Sequence, residues 1–352
     1  MFPVNAWYVA CTPDEIDGKL LSRTICGQKI CLYRAQGGQV TALEDFCPHR
    51  GAPLSLGTLN EGILTCGYHG LQMGCDGKTI AMPGQRVDRF PTNKTYSVVE
   101  RYGYIWIWPG TATDANPDRI PKPAWADRPD WTVGGGMFHI NCDYRLLIDN
   151  LMDLTHETYV HVGSIGQKEI DEAPPKTSFK DEQVITERQM TKLIAPPFWQ
   201  AAMRSHNLDP DAEVDRWQVC RFVAPSNVLI DVGVALAGKG GINAAPEAKV
   251  SGIVVDYITP ETETSCWYFW GMARHFQADD PALTESIRIN QEKIFTEDLE
   301  MLERQQINLS ENPERKLLKL NIDAGGVHAR RIIDQWCEAE GSRTKTETRV
   351  TE

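Results

Sequence analysis

Short runs rich in β-branched and aromatic residues dominate the first third of the chain, and glycine, proline and aspartate separate them. Residues 29–33, 40–43, 96–100 and 104–108 have the composition of half-buried strands, with turn residues between them. Regular spacing of this kind predicts a small all-β domain. From Pro109 to Pro129 the chain becomes polar and proline-rich, which predicts a connection to a second domain. Beyond it the pattern is mixed. A helix-like segment covers 145–161, strands are expected at 228–234, 252–259 and 265–270, and a long helix over 281–309. The last fifteen residues, EAEGSRTKTETRVTE, lack aromatics and read as a frayed polar tail. The expected division is therefore 1–115, 116–337 and a tail over 338–352. The fold class is α+β: an all-β domain, then a domain with an antiparallel sheet flanked by helices.

The long helix carries one polar residue out of place. Leu283, Ile287, Ile294, Met301 and Leu302 fall on one face. At about 100° per residue, Asp298 projects into the middle of that stripe, while Glu285, Glu292, Glu300 and Glu303 project to the opposite side. A carboxylate turned toward a core needs a cation or a metal to compensate it. A buried arginine and a metal ion both meet that requirement.

Composition narrows the class. The 352 residues suffice for two domains with sizeable cores. A formal net charge of −12 argues against a nucleic-acid partner and against an anionic membrane surface. No apolar stretch has the length of a transmembrane helix, and the first twenty residues lack the pattern of a signal peptide. A cytoplasmic protein with reduced thiols is expected.

Two of the ten cysteines lie in a spacing that points to iron. Cys47-Pro48-His49 is followed, after sixteen intervening residues, by Cys66-Gly67-Tyr68-His69. Each knuckle offers one thiolate and one imidazole. Two Cys on one iron and two His on the other make up the ligand set of a Rieske [2Fe–2S] cluster. Zinc sites usually pair Cys with Cys and His with His, so this mixed pairing disfavours a zinc module. A second group lies in the run from Asn150 to His161, which contains Asp153 and His156. On a regular helix His156 and His161 point about 140° apart. The helix must loosen between them if both are to bind one metal; otherwise the segment is a solvated helix face. Two His and one carboxylate form the facial triad of non-haem Fe(II) oxygenases.

With these motifs the chain resembles the Rieske non-haem iron oxygenases, and among them the oxygenase components of aromatic O-demethylases that act on vanillate or dicamba. The resemblance runs through NAWYVACTPDEI, DFCPHRGAPLSLG, CGYHGLQMGCDGKT, DYRLLIDNLMDLTHETYVH, WYFWGMAR and LKLNIDAGG, nearly the whole chain except its tail. It implies a helix-grip-like catalytic domain. It also implies that Cys47, His49, Cys66 and His69 hold the cluster, and that His156, His161 and Asp298 hold a mononuclear Fe(II). Asp153 would link His69 of one subunit to His156 of the next in a homotrimer, and Asn150 would stand near the open side of the iron. The implied reaction is O₂-dependent O-demethylation of an aromatic acid such as vanillate, yielding protocatechuate and formaldehyde. The chain has no nucleotide-binding glycine motif, so electrons are expected from a separate reductase with flavin and its own [2Fe–2S] cluster. Trp106, Trp108, Trp267 and Trp270 are candidates for an aromatic pocket, and Asp231 and Asp256 for orienting a phenolic hydroxyl. A Rieske electron carrier without catalytic iron is the competing class, but it leaves the second domain and Asp298 without a purpose.

Overall fold

Ten short strands form where the N-terminal runs of β-branched and aromatic residues lie. The structure, a computed structural model, describes the backbone of residues 1–350 and the side chains of residues 1–341. The strands are β1 Tyr8–Cys11, β2 Leu21–Ile25, β3 Gln28–Arg34, β4 Val40–Glu44, β5 Thr58–Asn60, β6 Ile63–Thr65, β7 Gln72–Met73, β8 Thr79–Ala81, β9 Ser97–Arg101 and β10 Tyr104–Trp108. They pair antiparallel in three small sheets, ordered β1-β10-β9, β2-β3-β4 and β5-β6-β7-β8. Tyr33, Leu43, Leu54, Leu64 and Leu71 pack into one core cluster, and Cys47 and Cys66 belong to it. This compact unit comprises Met1–Pro123, Thr259–Glu263 and the chain from Ala339.

The second unit, Ala124–Ile258 with Thr264–Glu338, is built on one seven-stranded antiparallel sheet. Its strands are β11 Thr132–Ile140, β12 Lys176–Lys180, β13 Gln183–Ile194, β14 Glu213–Val223, β15 Asn227–Leu236, β16 Lys249–Thr262 and β17 Ser265–Arg274. The order β11-β17-β16-β15-β14-β13-β12 is a meander from β12 to β17, closed by β11 on the far edge. The helices are α1 Tyr144–Met152, α2 Glu157–Val160, α3 Glu169–Glu172, α4 Pro197–Ser205, α5 Pro281–Glu311 and α6 Ala324–Val350. Helix α1 packs on β14 and β15, and α5 on β11 and β17. Side chains alternate across a strand, so β14 sends Val214, Arg216, Gln218 and Cys220 to one face. All four are buried. That face therefore carries two polar side chains into the interior, which matters for the site.

Helix ends follow their local chemistry. The Asp280 carboxylate accepts the Leu283 N–H at 3.0 Å and Pro281 opens α5, while the Asp143 carboxylate accepts the Arg145 N–H at 2.9 Å and starts α1. The single helix expected over 145–161 is instead broken at Asp153. There the Asp153 carboxylate takes the Thr155 N–H at 2.7 Å, and a turn replaces the next helical hydrogen bonds. The polar tail expected from residue 338 is also corrected, because α6 continues to Val350. The Glu340 carboxylate accepts the N–H groups of Val4 and Asn5 at 2.9 and 2.8 Å, which ties that stretch down. Residues 351–352 of the expected tail lie outside the described residues. No helix among the described residues is long and apolar enough to cross a membrane.

Candidate functional site

The break after α1 places His156 and His161 at the two ends of the single-turn helix α2. Their rings converge as a result: the two Nε2 atoms are 3.3 Å apart. Asp298, from the buried line of α5, brings Oδ1 to 3.6 Å from His156 Nε2 and Oδ2 to 3.3 Å from His161 Nε2. One ligand atom from each of the three lies within 4.8 Å of the others. A metal with bonds of roughly 2.1 Å to three mutually perpendicular ligands sets those atoms about 3 Å apart, so the spacing and the N,N,O donor set suit a facially bound divalent ion. The arginine considered for Asp298 is absent: its partners among the described residues are the two histidines and Asn150, whose amide donates to Oδ1 at 3.0 Å.

Each ring is oriented from behind. His156 Nδ1 lies 2.7 Å from the Asp153 carbonyl, and His161 Nδ1 lies 2.7 Å from Glu297 Oε2. Both arrangements protonate Nδ1 and free Nε2 for a metal. Burial works against charging His161, but the carboxylates of Asp298, Glu297 and Glu157 outweigh it and raise the imidazole to about 9. The Asp153 contact corrects the expected side-chain link to His156, for it is the backbone carbonyl that meets the ring. The carboxylate Oδ1 is occupied by the N–H and hydroxyl of Thr155, both at 2.7 Å, and Oδ2 has no hydrogen-bond partner among the described residues.

The segment carrying the histidines is clamped to the sheet. Glu157 is buried, with Oε1 accepting from Gln218 Nε2 at 2.5 Å and Oε2 from Arg216 Nη2 at 3.3 Å. Arg216 also donates to the Ile165 carbonyl, and Arg188 to the Leu154 carbonyl, so sheet guanidiniums hold the chain on both sides of the histidines. A cavity opens beside the triad. Its apolar wall includes Phe198, Trp199, Ile230, Val254 and Phe295. The tryptophans expected there are elsewhere. Trp106 and Trp108 are core of the first unit, Trp270 packs on Phe138 and Phe295, and Trp267 lies tilted against His139. Asp231 and Asp256 do not line the cavity either. Asp231 accepts the Trp217 indole N–H at 2.8 Å, and Asp256, which burial pushes up to about 8, accepts the Tyr268 hydroxyl at 2.6 Å.

In the first unit the two knuckles adopt the same turn. The N–H of Cys47 donates to the Ala52 carbonyl and that of Cys66 to the Leu71 carbonyl, while Gly51 and Gly70 donate back to Cys47 and Cys66. Both glycines have positive φ, +70° and +74°, a conformation that side chains rarely adopt. The thiols are buried and the imidazoles of His49 and His69 exposed, with ring centroids 4.5 Å apart. Burial raises the Cys47 thiol, opposed by the His49 backbone N–H, and the neighbouring Cys66 raises it further. An iron bound to both sulfurs would relieve that crowding by taking them as thiolates. A sulfur-ligated inner iron and an imidazole-ligated outer iron suit this arrangement.

Residues 6–96 match the model of the Rieske [2Fe–2S] domain, and residues 140–339 that of the vanillate O-demethylase oxygenase C-terminal domain. The chain belongs to the vanillate O-demethylase oxygenase family. A vanillate O-demethylase oxygenase subunit of Pseudomonas sp. (strain HR199 / DSM 7063) is 64% identical over 340 residues, covering 97% of this chain and 96% of that one. The dicamba O-demethylase oxygenase component of Stenotrophomonas maltophilia is 34% identical, over 97% of this chain and 99% of its own. A crystal structure of dicamba monooxygenase bound to 3,6-dichlorosalicylic acid superposes with a TM-score of 0.87 at 33% identity, covering 97% of this chain and 99% of that one. The cofactors of this oxygenase family are a Rieske [2Fe–2S] cluster and a mononuclear non-haem iron.

Two residues near the triad escaped the sequence reading. Glu157 follows His156 and looked like a helix-surface acid until the sheet supplied its partners. Glu297 stands next to Asp298, about 100° around the helix from it, where an acid is expected at the rim. Only the fold brings it to His161. Replacing Glu297 with glutamine keeps an acceptor for the ring N–H but removes the charge. We expect the apparent affinity for ferrous ion to fall roughly tenfold, measured by chelator competition, with the cluster absorbance unchanged. Unaltered iron affinity would reduce Glu297 to a surface acid.

Proposed function

We propose that this chain is the terminal oxygenase of an O-demethylating system for methoxylated aromatic acids, converting vanillate to protocatechuate and formaldehyde. The observation that carries the reading is the His156–His161–Asp298 triad at the wall of a largely apolar cavity. The 64% identity to a vanillate O-demethylase oxygenase subunit supports the substrate class. On this reading Cys47, His49, Cys66 and His69 hold the cluster, and the triad holds Fe(II) with positions left open. When bound, the iron supplies the O₂-dependent hydroxylation of a methoxy C–H bond, with electrons relayed by the cluster.

The protein's own part is placement. Phe198, Trp199 and Phe295 offer the ring an apolar bed and keep water from the reacting methyl group. Asn150 holds the Asp298 carboxylate in position, and Glu297 and the Asp153 carbonyl fix the imidazole tautomers. The hydroxylated methoxy group is a hemiacetal. The bond between its aryl oxygen and the methylene carbon breaks as the hydroxyl proton passes to the aryl oxygen, which releases formaldehyde and leaves the phenol. Asp153 Oδ2, without a hydrogen-bond partner among the described residues, suits an imidazole N–H from His69 of a neighbouring subunit in a homotrimer. Electrons enter from a separate NAD(P)H-dependent reductase with flavin and a [2Fe–2S] cluster. Ten free cysteines accord with a reducing, cytoplasmic setting.

Formaldehyde release from a panel of methoxybenzoates, with reductase and NADH or NADPH, tests the reading. Stoichiometric formaldehyde and protocatechuate from vanillate are expected. Ring hydroxylation or N-demethylation, with methoxybenzoates untouched, would overturn it.

A further inference from the structure

Most polar side chains on the cavity wall already have work within the protein. Asn150 donates to Asp298, Asp153 accepts from Thr155 through Oδ1 and has no proton to donate to an anion, and Glu157 is taken by Gln218 and Arg216. Arg216 and Gln218 each keep one unbonded atom, Nε and Oε1, but both atoms are fully buried. Gln291 differs. It is 6% exposed and lines the same cavity, its carboxamide has no hydrogen-bond partner among the described residues, and its amide atoms are not sealed from the cavity as those two are. Buried amides are nearly always satisfied, and on a cavity wall the partner left is what the cavity binds.

We propose that Gln291 is the specificity-determining contact of this cavity, donating its amide N–H groups to the carboxylate of the aromatic acid; this rests on the functional reading above. Gln291 and Asp298 are seven residues apart on α5, almost two turns. They therefore share one face, about 10 Å apart along the axis. In vanillate the phenolic oxygen is ortho to the methoxy group and stays beside it. The carboxylate points away. With the methoxy group at the triad, the carboxylate is the polar group that reaches up α5 toward Gln291. A carboxylate entering an apolar cavity also needs positive charge nearby. The Arg216 guanidinium on the same wall is paired with Glu157, but Arg188 beside that pair donates to the backbone carbonyls of Ala173 and Leu154, so the two guanidiniums and one carboxylate keep a net positive charge.

Binding of vanillate and of 2-methoxyphenol, which lacks the carboxylate, is compared by calorimetry for the iron-loaded wild-type protein, Gln291→Leu and Gln291→Glu. Formaldehyde release is measured alongside. Gln291→Leu should raise the Kd for vanillate roughly tenfold or more, the size of a hydrogen bond to a charged group. The Kd for 2-methoxyphenol and the kcat for vanillate should stay nearly unchanged. Gln291→Glu should weaken vanillate further by repulsion. Iron content and cluster absorbance equal to wild type certify that both variants are folded. If both ligands lose affinity equally, or neither does, Gln291 does not read the carboxylate and the inference is overturned, while wild-type demethylation keeps the functional reading intact. A wild-type protein that demethylates no methoxybenzoate overturns both.

Discussion

Asp298→Ala is expected to lose the mononuclear iron and nearly all product formation, on the order of a thousandfold or more, while the cluster spectrum stays as in wild type. Asp298 is the carboxylate that faces both His156 and His161, at 3.6 and 3.3 Å. Without it two imidazoles remain, which is a weak and incomplete set for Fe(II). The cluster loops belong to the other compact unit, built from a different stretch of chain, so their cofactor content should not respond. Iron analysis combined with visible absorbance reads both effects in one preparation. Full iron and normal turnover in the variant would mean that the third ligand lies elsewhere.

Asp153→Asn should leave both metal centres filled and slow reoxidation of the reduced cluster by about a hundredfold or more, in a single turnover with substrate and O₂. The structure sharpens why asparagine is the informative change. Its carbonyl oxygen can still accept from the Thr155 N–H and hydroxyl, so the turn that positions His156 survives. The second oxygen, which has no partner among the described residues, becomes an NH₂ group. It then cannot accept an imidazole N–H from His69 of a neighbouring subunit. Loss of the mononuclear iron would instead make Asp153 an assembly residue. Reoxidation at the wild-type rate would show that its free oxygen plays no part between subunits.

Much of the site was legible because its chemistry depends on residue type at short range. Two Cys-His knuckles with flanking Pro and Gly, and two histidines in a polar run, point to metal ligands without any fold. Asp298 was legible too, since an acid in an apolar helical stripe has to be compensated. The same periodicity misplaced Met301, which is 60% exposed, because the buried line of α5 runs through Ile294, Asp298 and Leu302 and leaves it at the edge. It also passed over Gln291, which looks like an ordinary helix-surface residue until the cavity is drawn beside it.

What the sequence by itself determined is the inventory: an all-β unit with a cluster motif, an α+β unit, a helix with a buried acid, and the family to which these belong. What only the tertiary structure decided is which groups meet. The break at Asp153 that aims both histidines at one point depends on a side chain bonding its own backbone. The clamp of Glu157 by Arg216 and Gln218 depends on β14, some sixty residues away. The pairing of Glu297 with His161, and the cavity that Gln291 faces, depend on α5 packing against the sheet. Local patterns encode propensity and amphipathicity over a few turns. Hydrogen bonds between segments far apart in the chain leave no periodic trace, so their partners appear only once the sheet and α5 have closed around them.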